Sequence, residues 1–148
     1  MLIRFFSLIA VTLALSVVAL SSKEQPSDEY RKAMNTLDQS TGKLEKSIQE
    51  ADHKLMNEQI FLVRPIIEFL QQFWRERGAE ETDDAHVAIK AAAKSISELS
   101  VSAHLLSISP NPVAVDGAKI ALRTLQEACQ TCHKSHRGTQ EDGSFIIK

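Results

Sequence analysis

Glycine and proline are scarce in this sequence, with 5 and 4 among 148 residues, and aromatic side chains make up only 5%. Collagen-like, low-complexity and turn-rich all-β architectures each need more of one or another of these. An excess of charge of one sign is missing too: 17 basic residues stand against 19 acidic ones, a net of -2. That balance gives no electrostatic footing for nucleic acid. Cysteine occurs only at Cys129 and Cys132, so close together that a bond between them would staple almost nothing. No paired carboxylates and no nucleophile with a placed base stand out, so nothing argues for an enzyme. What is present is Ala, Leu, Lys and Glu, at a length suited to one domain with its own core. That profile favours an all-helical protein.

Arg4 precedes an apolar run from Phe5 to Leu20, and Ala19-Leu20-Ser21 offers small residues at a cleavage point. This is the layout of a secretory signal peptide over residues 1–21. An uncleaved anchor is the alternative, although the run falls short of the roughly 20 residues of a comfortable membrane span. No Cys follows the run, so nothing points to lipid modification. Removing residues 1–21 takes away Arg4 alone among the charged residues and leaves 16 basic and 19 acidic groups, net -3. The expected location is the periplasm. In an oxidising compartment two cysteines ordinarily form a disulfide, so a pair this tight hints at another use.

From Ser27 onward the apolar pattern is helical. Met34, Leu37, Thr41, Leu44, Ile48, Ala51 and Leu55 recur at spacings of three and four, with Ser27 as N-cap. The break after them falls between Ala51 and Asn57. A second segment runs from about Glu58 to Arg77 on Ile60, Val63, Ile67, Leu70 and Trp74, widened by Phe61, Phe69 and Phe73. Pro65 interrupts its hydrogen bonding and Gly78 ends it. A third, opened by Thr82, Asp83 and Asp84, carries Ile89, Ala92, Ile96, Leu99, Ala103 and Leu106 and stops at Pro110. The fourth opens with Asn111 as N-cap and Pro112 in the first turn. Its stripe of Ala118, Ala121, Leu122, Leu125, Ala128, Cys129, Cys132, His133 and His136 closes at Gly138. Four such helices with short connections predict an all-α, antiparallel up-down-up-down four-helix bundle over residues 22–138. Residues 139–148 show no period and read as a loose tail.

Cys129-Gln130-Thr131-Cys132-His133 is a Cys-x-x-Cys-His run, the attachment signature of a c-type haem. Two thiols must add to two vinyl groups on one edge of the macrocycle while an imidazole reaches the iron at its centre. Helix positions i, i+3 and i+4 share a face, which gives Cys129, Cys132 and His133 that arrangement. Three rival readings exist. Cys129, Cys132, His133 and His136 could form a zinc site, but one straight helix cannot wrap four ligands tetrahedrally. The cysteines could be a reactive thiol pair, but the end of a helix disfavours a thiolate. They could also be chance buried cysteines.

The first and last helices of such a bundle are antiparallel neighbours. His133 lies about five residues before the end of the fourth and Met34 about seven after the start of the first, roughly 7 and 10 Å from one end of the bundle. Met34 is thus the candidate for the second axial position, with core filling as its ordinary alternative. A thioether opposite an imidazole is a standard six-coordinate pairing.

The two ends of the chain resemble the four-helix-bundle cytochromes. Cys129 to Arg137 is similar to the ending of class II c-type cytochromes, cytochrome c-prime included, in which an Arg follows the haem His by four. Met34-Asn35-Thr36-Leu37-Asp38 is similar to the segment of cytochrome b562 that holds its Met ligand, and Tyr30-Arg31 resembles a Tyr-Arg pair early in cytochrome c-prime. The middle helices match by pattern only. The resemblance implies one covalent haem c with iron held by His133 and Met34. It also implies Arg137 beside a propionate, whose alternative role is a cation favourable at a helix C-terminus. Where these families often place an aromatic residue before the final Arg, this chain has His136, expected to face solvent. Relatives can dimerise through the first two helices.

With Met34 on the iron both axial positions are filled, and the expected function is electron transfer with periplasmic redox proteins through small transient contacts. Without it the iron is five-coordinate, and the resemblance implies binding of nitric oxide or carbon monoxide in a pocket lined by Met34, Leu37 and Phe61. His53, His86 and His104 share no metal-ligand spacing and read as structural, His104 as partly buried.

Overall fold

Each of the four described helices opens on a side-chain cap. In a computed structural model that describes residues 24–148, α1 (Asp28–Gln49) starts at Ser27, whose Oγ accepts the Tyr30 N–H at 3.2 Å. α2 (His53–Glu76) starts at Asp52, whose carboxylate accepts the Lys54 and Leu55 N–H groups at 3.0 Å each. α3 (Asp84–Ile108) is capped by Asp83 and α4 (Pro112–His136) by Asn111, with Pro112 in its first turn. These caps satisfy backbone donors that have no partner within the helix. Residues 1–21, read as a signal peptide, lie outside the described residues, and no described helix is long and apolar enough to cross a membrane.

The helices form the expected all-α, antiparallel up-down-up-down bundle, consecutive helices packing on one another and α1 returning beside α4. α2 begins five residues earlier than expected. Ala51 adopts a left-handed φ of 53° and reverses the chain, which frees Asp52 to cap. The gain is Met56, fully buried and outside the expected stripe. α2 ends as Gly78 suggests: Gly78, at φ 74°, donates to Arg75 O and Ala79 to Trp74 O, the paired bonds of a Schellman motif. Pro65 stays inside α2 on an exposed position, where the carbonyl it leaves unpaired meets water.

α3 and α4 pack most extensively, and α1 and α4 least of the four neighbouring pairs. Small side chains allow the close pair: Ser95, Ser102, Ala103, Ala114, Ala118 and Ala121 are all buried.

The C-terminal residues are not a loose tail. β1 (Arg137–Thr139) and β2 (Phe145–Ile147) pair antiparallel, Gly138 opposite Ile146. Gly143, at φ 83°, makes the turn, and Asp142 accepts from the Ser144 N–H and hydroxyl. Ile147 also pairs with Glu24, and Glu24 receives both contacts of an Arg77 guanidinium at 3.0 Å. Glu24 and, through it, the C-terminal strand are therefore tied to Arg77 at the end of α2. α4 stops at His136 because Arg137 is already extended, and Gly138 serves the strand pair: a Cβ there would lie 2.9 Å from Ile146.

Candidate functional site

A cavity of about 630 Å³ opens between the N-terminal half of α1 and the C-terminal half of α4. It sits where the bundle packs most sparsely, and its size falls within the roughly 300–1,000 Å³ of small-molecule and cofactor sites. Five residues marked by the sequence line it together: Met34 from α1, Cys129, Cys132 and His133 from α4, and Arg137 from the start of the hairpin. Tyr30, Leu37 and Asp38 complete the α1 wall, and Phe145, Ile146 and Ile147 close the end.

α1 presents these groups because Tyr30, Met34, Leu37 and Thr41 recur at three and four along one face. The same periodicity on α4 places Cys129, Cys132, His133 and His136 on the cavity wall. Met34 is half-buried against the core, both cysteines are half-buried, and His133 is exposed at the mouth.

Burial dominates the electrostatics. It pushes the Cys132 thiol up to about 11, helped by the neighbouring Cys129 and then by Asp83 and Asp84. Burial, and secondarily Asp38, also raises the Cys129 thiol. Both are neutral thiols near pH 7, opposite to the thiolate that a reactive pair needs. Burial and then the Arg137 charge push His133 down from 6.5, so its imidazole is neutral, the form that ligates metals. Tyr30 is raised to about 12, first by burial and then by Cys132. Its ring lies 4.5 Å from that of Phe73. The Arg137 guanidinium sits over the Phe145 ring at 5.2 Å, so the hairpin holds this charge at the cavity.

His136 does not face solvent. Its side chain is only 16% exposed, with Nε2 2.9 Å from Asp83 Oδ1 and its ring packed at a tilt against Trp74. The cause is the α2–α3 turn, which brings Trp74 and Asp83 to the end of α4. His136 thus lines the cavity with its ring against Trp74 and Asp83, and among the described residues no group of three or more His, Cys, Asp or Glu could hold a metal ion. Phe61 does not line the cavity with Met34 and Leu37; it is 79% exposed, because one residue past buried Ile60 turns it about 100° away from the core. His104, one past buried Ala103, is exposed for the same reason.

Sequence reasoning missed Asp38 and the hairpin. Asp142-Gly143-Ser144 before Phe145-Ile146-Ile147 was a legible signal, turn residues leading into strand formers. No protein-family model, no curated protein and no solved structure matches this chain.

Proposed function

We propose that this protein is an exported monohaem c-type cytochrome of the four-helix-bundle kind, acting as an electron carrier. The observation that carries the reading is the single cavity that gathers Met34, Cys129, Cys132, His133 and Arg137. These residues fit a haem: two neutral thiols on one wall for covalent attachment, and a neutral imidazole and a thioether to hold the iron.

Haem c, when bound, supplies a one-electron iron couple. Cys129 and Cys132, both free thiols on the cavity wall, would be the residues that hold it covalently. His133 and Met34 would hold its iron from the two walls of the cavity, which would leave no position for a substrate and favour outer-sphere electron transfer. A Met/His pair raises the reduction potential. Arg137, held over Phe145, would balance a propionate charge. Tyr30, Leu37, Ile146 and Ile147 keep water from the site, which supports the same high potential. Periplasmic redox proteins are the partners.

The test is a pyridine haemochrome assay on protein made with a haem-attachment system, followed by a visible spectrum. The expected result is one covalent haem per chain and a low-spin spectrum with a Met-to-iron band that Met34→Ala abolishes. Absence of covalent haem sinks the reading. A high-spin oxidised spectrum replaces electron transfer with five-coordinate binding of nitric oxide or carbon monoxide.

A further inference from the structure

The bundle exposes an apolar band on the side away from the cavity. Val101, Leu105 and Ile108 recur at i, i+4 and i+7 along α3 and are 60%, 43% and 70% exposed. On α4, Val113 and Ile120 are 76% and 55% exposed. Counted from the α3–α4 turn, Val113 and Ile120 lie level with residues 107 and 100. All five side chains therefore fall within a band roughly 12 Å long.

The α3–α4 seam runs through this band. Gly117 marks the side of α4 that meets α3, since a Cβ there would lie 3.3 Å from Ser102 Oγ. Val113 and Ile120 stand four before and three after Gly117, and Leu105 three after Ser102, so they border the seam from both sides. At side-chain areas typical of Val, Leu and Ile, the five expose on the order of 400–500 Å², comparable to the largest apolar patch of a typical monomer, a patch that is often functional.

We propose that this band is the contact by which two copies of the chain associate, α3 and α4 of one packing on α3 and α4 of the other. Two such bands would bury on the order of 800–1,000 Å² of apolar surface before the rim is counted, which reaches the range of a weak but specific interface. The rim suits self-association. Lys94 lies 3.7 Å from Glu98, and Lys119 3.3 Å from Asp116, each pair within its own helix. A facing copy therefore meets no excess of like charge, and a two-fold pairing of identical patches needs that neutrality. A membrane surface fits less well. The rim lacks the net basic charge that draws anionic lipid. Tyr30 and Trp74, the residue types that favour membrane interfaces, are both buried in the described fold. The contact differs from the first-two-helix dimer expected from resemblance and leaves the α1–α4 cavity open.

Sedimentation velocity of the full chain, in the N-terminal form in which it is recovered, is the test. Wild type is expected to shift from monomer to dimer between about 1 and 100 µM, a standard free energy of roughly 5–8 kcal/mol. Ile108→Lys and Ile120→Lys should each weaken association at least tenfold with unchanged far-ultraviolet circular dichroism. Val87→Lys, on α3 far from the band, should leave it unaltered. A chain monomeric throughout that range overturns the proposal. So does a dimer indifferent to both band variants, or a monomer that instead binds phosphatidylglycerol vesicles through the band.

Discussion

The rings of His136 on α4 and Trp74 on α2 pack in a tilted arrangement, centroids 4.5 Å apart and planes at 55°, which fastens the end of the last helix to the end of the second. The imidazole Nε2 lies 2.9 Å from Asp83 Oδ1, yet without the alignment of a hydrogen bond, and it has no other partner. The contact therefore rests on ring packing more than on the polar atom. His136→Ala is expected to lower unfolding stability by about 1–2 kcal/mol, and His136→Phe, which keeps a ring, by less than half as much. Thermal unfolding followed by circular dichroism compares the two. Equal losses would assign the effect to the Asp83 contact.

Gly138 is required by the strand pair. A Cβ at that position meets Ile146 at 2.9 Å, and Ile146 is buried while lining the cavity. Gly138→Val is expected to displace β2 and cost about 1–3 kcal/mol. The helices stay folded, so limited proteolysis should cut first between 139 and 148. A variant as resistant as wild type would show that the hairpin accommodates the branch.

Tyr30 makes the fold sensitive to alkali. Its folded value of about 12 lies above the ordinary 10.0, chiefly through burial. A folded value raised above the unfolded one means that the fold favours the neutral phenol. The contribution is complete below pH 10 and is lost as pH rises from 10 toward 12, by an amount on the order of 1–2 kcal/mol. Denaturant midpoints for wild type and Tyr30→Phe should run parallel up to pH 10 and diverge above it. Parallel curves to pH 12 would show the phenolate to be solvated in the fold.

The bundle was legible because its signals are local: caps at Ser27, Asn111 and the Asp83 region, stops at Gly78 and Pro110, and apolar spacings of three and four. The grouping of Met34 with Cys129, Cys132 and His133 followed from antiparallel geometry alone, since α1 and α4 must be neighbours. What escaped depends on contacts between distant segments. Glu24 pairs with both Ile147 and Arg77, and neither partner is visible from the other's sequence neighbourhood. His136 falls on the inward stripe of α4, yet its partners Trp74 and Asp83 lie on other elements and are not visible from its own helix. α2's early start turns on a single left-handed Ala51, a conformation that residue rarely adopts. Ala51→Gly should therefore stabilise the fold by about 1 kcal/mol, read as a raised melting temperature.

Thiol chemistry separates the proposed cytochrome from a chain carrying free cysteines. In the chain without haem, burial holds Cys132 near 11 and raises Cys129. At pH 8 a thiol of value 11 is thiolate about a hundredfold less often than one of value 9, so alkylation of Cys132 should be slower by roughly that factor. Unfolding in guanidinium removes the burial and should restore the ordinary rate. In protein carrying covalent haem both sulfurs are thioethers, and neither should alkylate even when unfolded. Two reactive thiols recovered from haem-treated, unfolded protein would show that Cys129 and Cys132 do not form the attachment. Slow reaction in the folded state alone would not separate burial from thioether formation, which is why the unfolded arm decides it.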